Sequence, residues 1–167
     1  MASNVLIYTG TVKSFKASGG DVAWTLTSLG NGAGRISAIL DLGAAPRAFE
    51  YEWRLLTKFA STPAVGSPVR LYVVTSADAS GVYQDGGGTL GVADAAVASN
   101  ENLLIYGGKQ QGPTVVQHTS AANLWSGRFI CTARYLSFAL WNASGQALTG
   151  TAGDHELTLT PYFRQSQ

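Results

Sequence analysis

The chain carries few groups able to act on a substrate, and the closest pair is Glu50 and Glu52. Two residues apart on a strand, their carboxyl groups share a face about 7 Å apart. Paired carboxylates at such a separation can hydrolyse glycosides. Arg54 and Lys58 follow on the same face, however, and cross-strand charge pairing accounts for the pattern equally well. The two histidines, His118 and His155, stand at the ends of separate strand patterns and have no zinc-type spacing to cysteine. Asp78, Asp85 and Asp94 share one loop but do not form a calcium-loop pattern, and read as loop solvation. Gly107-Gly108-Lys109 is followed by Gln110, so it lacks the phosphate-loop spacing and reads as a hairpin tip. No G-x-S-x-G elbow occurs, and the single Cys131 falls within a strand pattern, where a buried, inert thiol is expected. Asn142-Ala143-Ser144 forms a sequon, but residues 142–145 read better as a hairpin turn. The sequence therefore predicts no catalytic centre, no cofactor and no metal.

The four tryptophans are the remaining candidates for contact chemistry. Trp24 and Trp53 lie on apolar strand faces and are expected in the core. Trp125 falls in an apparent loop over 121–127, and Trp141 ends a strand pattern beside Asn142. Both are candidates for exposed platforms that stack on sugars or anchor an interface, with core or rim packing as the alternative.

The elements that would position these groups are strands. Residues 49–59, FEYEWRLLTKF, alternate between Phe49, Tyr51, Trp53, Leu55 and a face carrying Glu50, Glu52, Arg54 and Lys58. Period two over this length predicts a long strand whose aromatic face is buried against a second sheet. Similar patterns cover 22–29, 35–42, 69–75, 103–106, 114–118, 128–132, 135–141 and 155–163. In 35–42 the apolar face is Ile36, Ala38, Leu40 and Leu42. Pro161 implies an edge or a bulge within the last strand. Residues 92–99 are the best helix candidate. Residues 76–100, including Tyr83, form a long irregular connection, the first candidate for an exposed interaction surface. Residues 1–20 form either an edge strand with a loop or an arm that packs on a neighbouring subunit; Val5, Leu6 and Tyr8 are its candidate contacts. Roughly nine or ten strands at regular spacing predict an all-β, two-sheet antiparallel sandwich over 21–167. Long connections between the sheets make a jelly roll the most economical form.

Composition narrows function by exclusion. Apolar residues are 46% of the 167, charged residues only 13%, and the net charge is +1. No basic stripe is present to neutralise a phosphate backbone, so nucleic-acid binding is not expected. No signal peptide is visible, and no run approaches the ~20 apolar residues needed to cross a membrane. The expected setting is a cytoplasm, or release from one by lysis. A near-neutral, Gly/Ser/Thr-rich β chain suits a module whose surface is covered in an assembly.

Several segments resemble small structural proteins of tailed bacteriophages. They are LTSLGNGAGRISAILDLG, FEYEWRLLTKFASTPAVGSPVRLYVVTS, RYLSFALWNASGQALTG and HELTLTPYF. The shared punctuation is Gly34-Arg35, Asp41-Leu42-Gly43, Lys58-Phe59-Ala60 and the turn at 142–145. The resemblance implies a virion component with a jelly-roll-like sandwich. Among such components it is most similar to cement (decoration) proteins on the capsid exterior, which are often trimers. The implied partners are the major capsid protein and further copies of the chain. The alternative is a tail or fibre structural protein with a host-glycan-binding face. Val5, Leu6, Tyr8, Tyr83, Trp125 and Trp141 are the candidate interface residues, and none is expected to be catalytic.

Overall fold

The alternation in residues 49–59 produces an eight-residue strand, Glu50–Thr57, in the computed structural model. The structure describes residues 5–44, 47–81, 92–105, 109–111 and 122–166. In chain order the strands are β1 (Val5–Thr9), β2 (Lys13–Lys16), β3 (Val22–Ala23), β4 (Ala33–Ile36), β5 (Leu40–Asp41) and β6 (Glu50–Thr57). They continue as β7 (Val69–Ser76), β8 (Ala95–Val97), β9 (Lys109–Gln110), β10 (Asn123–Ile130), β11 (Tyr135–Asn142) and β12 (Glu156–Ser166). A short helix, α1 (Asn100–Ile105), lies between β8 and β9.

One sheet runs β10-β6-β12-β2-β3, with β1 also on β12; the other runs β8-β4-β11-β7-β9, with β5 on β11. Without β1, β3, β5 and β8, eight strands remain. In chain order these stand first–eighth–third–sixth in one sheet and second–seventh–fourth–fifth in the other. This is the connectivity of a jelly roll, two Greek keys wrapped into a sandwich. The pairings are antiparallel apart from the short β2–β3 contact.

Between the sheets lies the main core. Tyr51, Trp53 and Leu55 of β6, Leu157 and Leu159 of β12, and Phe15 of β2 face Leu71 and Val73 of β7 and Phe138 and Leu140 of β11. Phe138 meets Phe15 and Phe129 edge-on at 5.1 and 6.1 Å, the geometry that aromatic quadrupoles favour. Two tryptophans need glycine opposite them. Gly127 is the cross-strand partner of Trp53, and a Cβ there would stand 2.7 Å from its Cζ2. Gly34 is the partner of Trp141, where a Cβ would stand 2.6 Å from Cε3.

A second, smaller core covers the outer face of the β11–β7 sheet. Tyr72 and Val74 of β7, Ile36 of β4 and Ala139 of β11 are buried there beneath Val97 and Leu103. The Tyr72 hydroxyl donates to Asn100 Oδ1 at 2.7 Å. Of the described part of 76–100, Val97 packs into this core, while residues 77, 79, 80, 92, 93, 95, 96 and 98 are exposed, so the segment is pinned to the sheet at Val97 and otherwise largely open to solvent. Residues 82–91, with Tyr83 and Asp85, lie outside the described residues. So do residues 114–118, with His118, and Gly107 and Gly108.

Local readings are also corrected. The helix falls on 100–105, not 92–99, so residues 103–105 of the expected strand 103–106 are helical, and Tyr106 lies outside the described residues. Ser99 Oγ accepts a bond from the Asn102 N–H at 3.1 Å, a cap that starts the helix there. Residues 95–97, within the expected helix, instead extend β4's edge. The expected strand 35–42 breaks after Ile36, so Ile36 enters the second core while Leu40 enters the main one. In the expected strand 22–29 only Val22–Ala23 is regular, yet Trp24 and Leu26 remain buried. Asp94 does not merely solvate a loop. It receives Arg35 Nε at 2.6 Å and the Thr25 N–H at 3.0 Å, clamping the β8 segment to the sandwich. Burial alone would raise its carboxyl; the bonds from Arg35 and Thr25 outweigh that and hold it below the ordinary carboxylate range.

Pro161 lies where β12 changes neighbours. β2 pairs with it as far as Leu159, and β1 begins at Tyr162. Gly10 N donates to Pro161 O at 2.9 Å. A strand residue presents its N–H and C=O to the same side, so the missing N–H falls at the bend between β1 and β2, where no ladder bond is lost.

Candidate functional site

The strongest candidate for contact is the end of the first sheet where the facing sheet stops. β5 ends at Asp41 and the chain turns at Gly43, with φ 87°. Beyond that point, among the described residues, no strand of the second sheet stands opposite the inner face of the first. Tyr8 of β1 is the cross-strand partner of Phe163 of β12. Their rings stack at 5.2 Å, 11° from parallel. Phe49, leading into β6, lines the same cleft of about 540 Å³, with Arg47 and Arg164 at its margin. Phe49 continues the buried aromatic face of Tyr51 and Trp53 in sequence, yet it is 50% exposed. The expectation that the whole face is buried is corrected at this residue, because the partner sheet does not reach it.

Apolar exposure continues around this end. Leu6 and Tyr8, on the cleft's face, are 48% and 47% exposed; Ile7 and Ile130, in register with Arg164 and Glu50 on the opposite face, are 60% and 63% exposed. The exposed apolar residues on the cleft's own face, Leu6, Tyr8 and Phe49, make it the strongest candidate for an interaction surface. A second cleft of about 330 Å³ runs between the sheet rims and shares Phe163, with Leu40, Leu42 and Tyr51 in its wall. The Tyr51 hydroxyl donates to Ala48 O at 2.9 Å, and burial pushes its pKa up to about 12.

On the outer face of the same sheet, Glu50 and Glu52 form a cross-strand ion network. Arg128 of β10 reaches Glu52 at 3.1 Å and Glu50 at 3.4 Å, and Arg164 of β12 reaches Glu50 at 3.0 Å. The Tyr162 hydroxyl donates to Glu52 at 3.1 Å, and the Arg128 guanidinium sits over the Tyr162 ring at 4.9 Å. The bond to Glu52 also raises the pKa of Tyr162. Charge pairing accounts for the two carboxylates, with partners from the neighbouring strands rather than Arg54 or Lys58.

The remaining candidates divide clearly. Val5 lies in β1 opposite Ser166, beside Leu6 and Tyr8. Trp125 is corrected: it sits inside β10, 4% exposed, and packs in the main core. Trp141 packs over Gly34 against the second core. Asn142 is fully buried and its amide is spoken for: Nδ2 donates to Leu29 O and Gln146 O, and Oδ1 accepts from Ser144. It is a tie between loops and inaccessible to a sugar transferase. His155 is buried, its Nε2 donating to Thr149 O at 3.0 Å. Its Nδ1 has no partner. Among the described residues no group of three His, Cys, Asp or Glu side chains converges, and no helix is long and apolar enough to cross a membrane. Phe49 and Phe163, which line the cleft, are not marked as contact candidates by the sequence pattern. The signal was the reach of the partner sheet, which the pattern of one strand does not contain.

No protein-family model matches the chain, and no curated protein matches it in sequence. Among solved structures it is similar to the EclA C-terminal domain, a sugar-binding protein. The identity is 11%, over 99% of this chain and 79% of that one, at a TM-score of 0.30. A structure titled "CBM4 structure and function" matches at 11% identity, over 93% and 94% of the two chains, at 0.30. Dimeric latent PorU from Porphyromonas gingivalis matches at 9% identity, with 97% of this chain on 13% of that one, at 0.29. Likenesses at these scores carry no argument about ligand or activity.

Proposed function

We propose that the chain is a bacteriophage capsid cement protein, structural and non-enzymatic. It is made in the host cytoplasm and binds the exterior of the major capsid protein lattice as a homo-oligomer, stabilising the shell. The observation that carries this reading is the uncovered apolar end of the first sheet: Tyr8, Phe49 and Phe163 in one cleft, with Leu6 beside them on the same face. The phage resemblance of residues 22–163 supplies the setting, and the jelly-roll frame supplies a rigid support.

The physics of the role fits such a surface. Covering a half-exposed aliphatic or aromatic side chain releases about 1 kcal/mol. A handful of them gives weak binding on their own. An oligomer that engages several lattice sites at once converts weak contacts into firm attachment through effective concentration. The alternative of a tail or fibre protein with a glycan-binding face needs an exposed tryptophan platform; Trp125 is buried and Trp141 is partly buried over Gly34.

The test is sedimentation of the purified protein with capsids stripped of it. Saturable co-sedimentation, lost in Phe49→Ser, supports the cement reading. Assembly with tail parts and indifference to capsids would replace it.

A further inference from the structure

We propose that β1 is the self-association edge of the protein: it pairs antiparallel with β1 of a second copy, about a two-fold axis at Ile7. The inference rests on the reading of the chain as a subunit that works by contact, and names the first partner of that contact.

β1 pairs with β12 on one side, and among the described residues no strand pairs on the other. An edge strand of this kind presents unpaired N–H and C=O groups, and proteins that stay monomeric guard such edges with charge, proline or a bulge. The sequence of β1, VLIYT, has neither charge nor proline, and its register with β12 runs unbroken from Val5↔Ser166 to Thr9↔Tyr162. Leu6, Ile7 and Tyr8 are about half exposed although they lie in regular sheet. Backbone and side chains are thus both unsatisfied along one line.

The chemistry that fits this line is another uncharged, alternating apolar strand, and β1 itself has it. Pairing about Ile7 sets Leu6 of one copy beside Tyr8 of the other on the inner face, and Ile7 beside Ile7 on the outer face. Val5 meets Thr9. No charged residue stands opposite another. The nearest charges are the two Arg164 side chains, each one strand back from β1. They would lie three strand spacings apart, roughly 14 Å, beyond the ~8–10 Å over which solvent-exposed charges act at physiological salt. Each is already paired with Glu50 at 3.0 Å. Joining the edges also sets the two Tyr8–Phe163 stacks on one continuous sheet face. A two-fold contact closes at two copies, in contrast to the trimer that the phage resemblance implies.

The experiment is the mass of the isolated protein by sedimentation over a concentration series, with no capsid present. The expected result is a dimer. Ile7→Lys, which sets like charges side by side on the axis, is expected to weaken self-association at least tenfold while the circular dichroism stays unchanged. As a second variant, Ile7→Cys is expected to form a disulfide-linked dimer under mild oxidation, while Val65→Cys, on a loop at 68% exposure, does not. A monomer at every concentration, a trimer, or an Ile7→Cys chain that fails to cross-link overturns the proposal. Capsid binding is read separately, so a monomer that still decorates capsids refutes this interface alone, and a dimer that ignores capsids refutes the cement role alone.

Discussion

Tyr8 lies flat on Phe163, with ring centroids 5.2 Å apart, and joins the first strand of the chain to the last. The stack is half open to solvent, so it contributes less to the fold than a buried pair would. Tyr8→Ser is expected to cost about 1 kcal/mol of stability and to abolish capsid binding. Thermal unfolding and co-sedimentation of the same sample check both. A loss of fold would show that the stack is structural and not a contact surface.

Gly127 and Gly34 are fixed by the indoles they face. Gly127→Ala and Gly34→Ala each force a methyl into Trp53 or Trp141, and are expected to destabilise by about 1–3 kcal/mol. Gly30→Ala is the control, since a Cβ there meets nothing within 4 Å. Denaturant midpoints measure the difference. Equal midpoints would contradict the packing described.

His155 gives the protein a mild acid sensitivity. Burial lowers its pKa below the ordinary 6.5, against the bond to Thr149 and the charge of Asp154, itself 3.9 Å from Lys58 Nζ. The unfolded chain therefore takes up the proton first. Stability from this residue is complete above pH 6.5 and falls as the pH drops from there toward the folded pKa. Urea midpoints between pH 8 and pH 5 are expected to fall, and to fall less in His155→Gln. An unchanged slope in that variant would assign the effect elsewhere.

Asp94 and Arg35 hold the β8 segment to the sandwich. Asp94→Asn keeps the shape but loses the charge, and is expected to cost about 1–3 kcal/mol. Hydrogen exchange should rise first at Val97, and before it does so at Leu71 in the main core. Uniform exchange across both would mean that the cover and the sandwich unfold as one unit.

Much of the sandwich was legible in the sequence because alternation reports directly on a half-buried strand. Tyr51, Trp53 and Leu55 are buried as their spacing requires, and Leu136, Phe138 and Leu140 likewise. The failures have two causes. Ile36 and Trp125 sit where tertiary pairing decides the face or extends a strand, and local pattern does not carry that. The Ser99 cap is present in the sequence, but the Ala-rich run before it places the expected helix about two turns too early. The contact surface was half legible. Leu6 and Tyr8 are candidate contacts in the N-terminal arm, whereas Phe49 continues the core alternation of Tyr51 and Trp53 and is exposed only because the facing sheet ends at Asp41.

The most direct test of the account is the binding of wild-type protein and of Phe49→Ser to stripped capsids, scored by co-sedimentation and by the temperature of DNA release. The account predicts saturable decoration and a raised release temperature for the wild type. Both should be lost in Phe49→Ser, with its thermal unfolding nearly unchanged. Wild-type protein that leaves capsids bare, or a Phe49→Ser variant that decorates them as well as the wild type, would contradict it.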